Sequence, residues 1–175
     1  QTAHESGNFS KTSESVKYRF KTAKLVFPKY VAQINAKQKE IGAIDSAFVP
    51  AEWFFNLVYG SRMGNQDNGV ADNDGFDFRG SGYIQLTGTD NMEMFEKWLS
   101  IHRPDVVINS LHDVANYART QQGALESAVC FWLNSPALRV AAQAGDVTKA
   151  TKVINGGTIG LDERKTLFSK YLALV

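Results

Sequence analysis

Half of the glycines in this chain fall in one stretch. Seven of 14 lie between Gly60 and Gly88, at positions 60, 64, 69, 75, 80, 82 and 88, with Asp and Asn between them. A segment so rich in turn-forming residues cannot continue a helix. It splits the chain into two runs whose apolar residues recur at helical spacing. Inside the stretch, Phe76 to Leu86 alternates enough to predict a small β-hairpin. A loop region this long in a compact domain usually carries function.

Before the stretch, apolar spacing predicts a helix over Val16 to Phe27, broken by Pro28, and a second over Lys29 to Gly42. Pro50 suits the first turn of a third, which ends at Gly60. After it, the pattern predicts helices over Asp90 to Ile101, Leu111 to Tyr117, Gly123 to Leu133, a short turn from Pro136, Asp146 to Ile154, and Leu161 to Leu174. Asp146 reads as an N-cap, Thr89 or Asp90 as another, and Gly156-Gly157 as a stop. The fold class is mainly α with one small β element, and no repeat period is present.

At 175 residues the chain fits one domain, 1–175. A net charge of +1 provides neither the concentrated basic face that nucleic acid needs nor strong attraction to a membrane surface. No apolar run is long enough for a membrane span, so no stable membrane insertion is expected. The single cysteine, Cys130, lies in the apolar run Ala128–Leu133 and reads as a buried, inert thiol. The chain opens without methionine inside a helical pattern, from which upstream residues are expected, and with them any binding module that is attached.

Two acids stand out near the start, Glu5 and Glu14. Nine positions apart at 100° each, they would lie on opposite sides of one helix, so a single helix cannot present both to one site. The Gly7-Asn8 break ends the first helix, leaving Glu5 in its last turn and Glu14 on the loop beyond or at the start of the next helix. A rigid acid facing a loop-borne acid suits inverting glycoside hydrolysis, where water must fit between two carboxyls about 6.5–9.5 Å apart. Glu5, near Ala3 and Phe9, is the expected acid, since burial raises a carboxyl pKa. Glu14, between Ser13 and Ser15, is expected to be solvated and ionised, as a base should be. The plain alternative is a helix end with two surface glutamates, Glu14 serving the dipole of the next helix.

The segment Gly80 to Asn91 offers Gln85, Thr87 and Asn91 as neutral donors and acceptors beside glycines that let a ligand approach the backbone. These suit a sugar or an attacking water; the third glycine and lysine of a nucleotide loop are missing. Asn155-Gly156-Gly157 alone is an ordinary cap. His4, His102 and His112 are scattered, no metal-ligand spacing occurs, and Asp67, Asp72, Asp74 and Asp77 miss the spacing of a calcium loop. No metal and no cofactor is expected. A serine triad lacks its Gly-x-Ser-x-Gly.

Taken in order, Ala3-His4-Glu5-Ser6-Gly7-Asn8-Phe9, Phe27-Pro28-Lys29-Tyr30, Val58-Tyr59-Gly60-Ser61-Arg62-Met63-Gly64-Asn65, the run Phe78 to Gly88, and Ile154-Asn155-Gly156-Gly157 resemble the family 19 glycoside hydrolases. Within that family the resemblance is to the bacteriophage endolysin and bacterial lysozyme-like branch rather than to plant chitinases, whose disulfide-bonded loops one cysteine cannot supply. It runs from Gln1 to about Arg164. It implies a lysozyme-like, two-lobed helical domain with the hairpin beside a cleft, and an inverting mechanism. The general acid falls on Glu5 and the second acid on Glu14. Relatives read Glu-Asn-Leu-Asn-Tyr-Ser where this chain has Glu14-Ser15-Val16-Lys17-Tyr18-Arg19, keeping Glu14 and Tyr18. Thr87 matches the hydroxyl that helps hold the nucleophilic water. Gln85, Asn91 and Asn155 match substrate-contacting positions, and Arg79 and Arg164 match positions near the cleft. Ser81 departs from the usual Arg between the two glycines.

The expected activity is hydrolysis of the β-1,4 bond between N-acetylmuramic acid and N-acetylglucosamine in peptidoglycan. A chitinase is the alternative in the same chemistry, and an inactive glycan-binding domain the alternative outside it. The resemblance further implies a monomer made in a bacterial host's cytoplasm and acting on the cell wall after release, with Asp74 or Asp77 next in line as base should Glu14 not serve.

Overall fold

Apolar spacing becomes eleven helices among the residues described by this computed structural model, 1–65 and 72–174. Gly69 and Asp67 lie outside them. The helices are α1 Thr2–Glu5, α2 Phe20–Val26, α3 Val31–Glu40, α4 Ala51–Tyr59, α5 Asp74–Asp77, α6 Thr89–His102, α7 Leu111–Ala118, α8 Gln121–Asn134, α9 Pro136–Gln143, α10 Val147–Asn155 and α11 Leu161–Leu172. The chain is mainly α, and no described helix is long and apolar enough to cross a membrane.

Side-chain oxygens start four of these helices. Ser110, Thr120, Ser135 and Asp146 each accept a backbone N–H from three residues on, which satisfies one of the free donors at a helix start. The expected cap of α6 at Thr89 or Asp90 is replaced. Gly88 occupies the cap position without a side chain, and buried Asn65 supplies the acceptor instead, its Oδ1 taking the Thr89 N–H at 3.0 Å. The helix expected over Val16 to Phe27 begins only at Phe20. Residues 18 and 19 are pulled straight by pairing with 48 and 49, where Val49 N–H donates to the Tyr18 carbonyl at 2.9 Å and Arg19 bridges Phe48.

The hairpin expected over 76–86 does not form. The short helix α5 takes its first part, and the rest is a tight loop closed by one reciprocal pair, Ser81 N–H to Leu86 O at 2.9 Å and Leu86 N–H to Ser81 O at 2.8 Å. Gly82 and Gln85 both sit at positive φ between these residues, and beyond the pair Gly88 N–H donates to the Phe78 carbonyl at 2.8 Å.

Two hydrophobic cores result, one on each side of this loop. α2, α3 and α4 enclose Phe20, Ile34, Phe54, Phe55 and Val58. α6, α7 and α8 enclose Met92, Phe95, Leu99, Val114 and Cys130. Each fully buried aromatic or aliphatic side chain contributes about 1.5–3 kcal/mol. The loop belongs to both: Phe76 packs on Phe55 with ring centres 6.1 Å apart, while Phe78 and Leu86 enter the second core. Buried Cys130 has its thiol pushed up to about 11 by burial, so it stays protonated and unreactive at neutral pH.

The junction of α7 and α8 leaves no room for a side chain at position 123. A Cβ added to Gly123 would stand 1.9 Å from the Tyr117 carbonyl oxygen. Although alanine favours helix by about 1 kcal/mol over glycine, Gly123→Ala is expected to destabilise the protein by about 2 kcal/mol through overpacking. A urea melt measures it.

Candidate active site

α1 is only one turn long and places Glu5 at its end. Gly7, Asn8 and Phe9 then follow in succession at φ of 58°, 58° and 62°. Glycine takes this left-handed backbone freely, but for a phenylalanine it costs about 1 kcal/mol or more. Packing holds it there. The Phe9 ring meets Tyr83 edge-on at 5.3 Å and Tyr171 of α11 at 5.9 Å.

Glu5 is held by α11. Arg164, only 2% exposed, donates from one terminal nitrogen to Glu5 Oε1 and from the other to Gln1 Oε1, both at 2.5 Å. Its Nε–H donates to the Ile159 carbonyl at 3.3 Å, which also accepts from Asn155 Nδ2 at 3.2 Å. Glu5, Arg164, Asn155 and Gln1 thus form one polar set. Beside it, His4 Nδ1 stands 3.2 Å from Glu163 and the ring packs on Gly160.

Glu14 belongs to a second set. Its backbone N–H donates to the Gly80 carbonyl at 2.7 Å, and the Gly80 N–H returns to Glu14 Oε2 at 3.3 Å. Tyr18 OH donates to Oε1 at 3.2 Å, and Tyr59 OH stands 3.3 Å from both carboxylate oxygens. This corrects the expectation of a solvated Glu14. The carboxyl packs against Tyr59 of α4 and the Gly80 loop, while Glu5, expected among apolar neighbours, is instead paired with a guanidinium. Burial raises its pKa above the ordinary glutamate value; the Gly80 amide, the two tyrosines and the Arg79 charge each pull it back without cancelling the rise. Tyr18 is pushed up to about 12 by burial and by the adjacent Glu14, so it stays a donor.

The Gly80 loop brings the remaining expected residues to this set. A Cβ on Gly80 would meet Gln85 Oε1 at 2.6 Å and Glu14 Oε2 at 3.2 Å, so glycine is what lets these two side chains share one spot. Gln85 sits at φ 57° with its Nε2 on the Gly82 carbonyl at 2.8 Å. Thr87 Oγ1 donates to the Gln85 carbonyl at 3.0 Å, and Asn91 Nδ2 donates to the Thr87 carbonyl at 2.7 Å. Arg79 lies over the Phe76 ring at 4.4 Å and donates to the Phe76 carbonyl at 2.7 Å. Asp77 pairs with His112 at 3.2 Å, and Asp74 is held above its usual value by burial and by Asp72.

Two residues of these sets were not read as site residues from the sequence. Tyr59 ends α4 and was quoted within the Val58 to Asn65 motif without a role, and Gln1 carried no motif. A recess of about 140 Å³ lined by Gln1, Trp132, Val147, Ala150 and Phe168 lies behind the first set, and neither acid lines it.

A protein of Haemophilus influenzae described as a "Glycosyl hydrolase family 19 domain-containing protein" is 33% identical over 170 residues, 96% of this chain and 73% of the relative. The chain belongs to glycosyl hydrolase family 19. No family model matches it. In this family 19 chain, two carboxyls are held by separate donor sets, with the Phe9 ring packed against Tyr171 beside one and Tyr83 beside the other.

The raised Glu14 has a definite sign in stability. The folded protein binds the Glu14 proton more tightly than the unfolded chain, so stability falls as pH climbs from the ordinary glutamate value through the raised one. Removing a donor to the carboxylate favours the neutral form further. Tyr59→Phe is expected to raise the Glu14 pKa by about half a unit to one unit, read by carboxyl-carbon NMR titration.

Proposed function

We propose that this chain is a glycoside hydrolase that cleaves β-1,4 bonds of peptidoglycan, between N-acetylmuramic acid and N-acetylglucosamine, with inversion. The observation that carries the reading is the pair Glu5 and Glu14, each carboxyl fixed by its own donors in a family 19 chain. Glu5 gives its proton to the glycosidic oxygen as the C1–O bond breaks. Water attacks C1 from the opposite face and passes a proton to Glu14, so the reaction ends with Glu5 ionised and Glu14 protonated.

The surroundings support these roles. Arg164 stabilises the carboxylate that Glu5 becomes after it has given up its proton. A raised pKa makes Glu14 a stronger base near neutral pH than a solvated glutamate would be. Thr87 spends its hydroxyl hydrogen on the Gln85 carbonyl, which leaves its oxygen free to accept from the attacking water. Tyr18, Arg79, Gln85, Asn91 and Asn155 line the path of the sugar chain. Peptidoglycan is favoured over chitin because the sequence resembles the endolysin branch, and the wall of a bacterial host is the place of action. The enzyme works as a monomer.

Glu5→Gln is expected to lower turnover by about 10²–10⁴-fold with folding retained by circular dichroism. Normal turnover in that variant would overturn the assignment. Glu14→Gln falls comparably if Glu14 is the base, and a near-normal rate would pass that role to Asp74 or Asp77.

Digestion of purified peptidoglycan and of a chitin oligomer, with mass analysis of the reducing ends, tests the substrate. Muramic acid at the new reducing end is the expected result. Products from chitin alone would make the protein a chitinase, and binding without products from either would make it a glycan-binding domain.

A further inference from the structure

We infer that Arg119, from the end of α7 in the second core's half of the molecule, is a positioning residue for the Glu14 carboxylate, acting through Ser81. This rests on the reading of Glu14 as the base, and nothing in the sequence singles Arg119 out.

The connection can be followed atom by atom. Arg119 Nε–H donates to Ser81 Oγ at 3.0 Å, and one terminal nitrogen donates to the Asp77 carbonyl. The other terminal nitrogen returns to Asn116 Oδ1 of its own helix at 3.3 Å, which fixes the guanidinium plane. A guanidinium only donates, so Ser81 Oγ must accept from it and turn its own hydrogen elsewhere. That hydrogen goes to the Arg79 carbonyl at 2.8 Å. Arg79 C=O and Gly80 N–H are the two ends of a single planar peptide unit. Its N–H end points at Glu14 Oε2. Holding the carbonyl end therefore aims the amide at the carboxylate.

The cost of placing this cation shows that it is not a surface group with an incidental contact. Burial and the neighbouring Arg79 charge lower the Arg119 pKa to about 10, with Asp77 opposing them. Ser81 is fully buried, so no water competes for its hydroxyl. Among the described residues, the groups facing Glu14 are Tyr18 from its own segment, Tyr59 from α4, and the Gly80 amide and Arg79 from the loop. Arg119 touches Glu14 through none of these directly. It sets the orientation of the Gly80 amide, which donates to Glu14 Oε2 at 3.3 Å.

With Arg119 replaced by methionine, the Ser81 hydroxyl can rotate and the peptide unit can tilt. The Gly80 amide then supports the charged carboxylate less well, and Glu14 holds its proton to higher pH. The test is carboxyl-carbon NMR titration of Glu14 in the full chain, alongside the acidic limb of kcat/KM on a soluble substrate. Arg119→Met and Ser81→Ala are each expected to move the Glu14 midpoint upward by about half a unit. The double variant should move it no further than either alone, since both cut the same link. Arg119→Lys, which cannot both donate from Nε and span to the Asp77 carbonyl, should restore only part of the shift. A Glu14 midpoint unchanged in Arg119→Met and in Ser81→Ala, whatever happens to the melting temperature, would overturn the inference. The NMR titration reads Glu14 without turnover. Failure of the hydrolase reading would therefore appear as absent activity in the wild type, separately from the outcome here.

Discussion

One buried guanidinium closes this molecule on itself. Arg164 sits on α11 at 2% exposure and reaches Gln1 and Glu5, which lie 163 and 159 positions away in the chain. A charge this deep is costly to desolvate and stable only with its donors filled. Glu5, Gln1 and the Ile159 carbonyl fill them. The four-residue α1 is too short to hold itself together in water. Its geometry, and with it the placing of Glu5, comes from docking on α11. The Oε1 atom of Glu5 thereby ties the first helix to the last.

Glu14 follows the opposite logic. Its neighbours are neutral hydroxyls and an amide, with one guanidinium, Arg79, close by in charge rather than in hydrogen bonding. Neutral donors support a carboxylate less than an ion pair does, so burial prevails and the pKa rises. The fold thus gives two glutamates nine residues apart contrasting surroundings. One carboxyl is paired with a buried guanidinium and the other is held by neutral donors.

Much of this could be read from the residues, and the parts that could not have physical causes. A helix with a polar cap at its start, such as α10, appeared where spacing put it, because cap and pattern are local, while α9 runs for eight residues where only a short turn was expected. The start of α2 was misplaced because the pairing of Tyr18 and Arg19 with Phe48 and Val49 joins residues about thirty apart. The hairpin failed because a period of two along 76–86 says nothing of the left-handed turn at Gln85. At the site, the flanking serines suggested a solvated Glu14. Its real partners, Tyr59 and the Gly80 amide, lie 45 and 66 positions away. Arg119 left no local trace, since its role exists only where α7 meets the loop.

Phe9 has a consequence of another kind. The chain between the two acids passes through three left-handed residues and is kept there by an aromatic ring pressed between Tyr83 and Tyr171. Contacts of that sort are indifferent to ionic strength, because no charge is involved. They weaken on cooling, as apolar association does. The Phe9 anchor should therefore hold across fresh and salt water alike and slacken in the cold, unlike the charged Arg164–Glu5 pair.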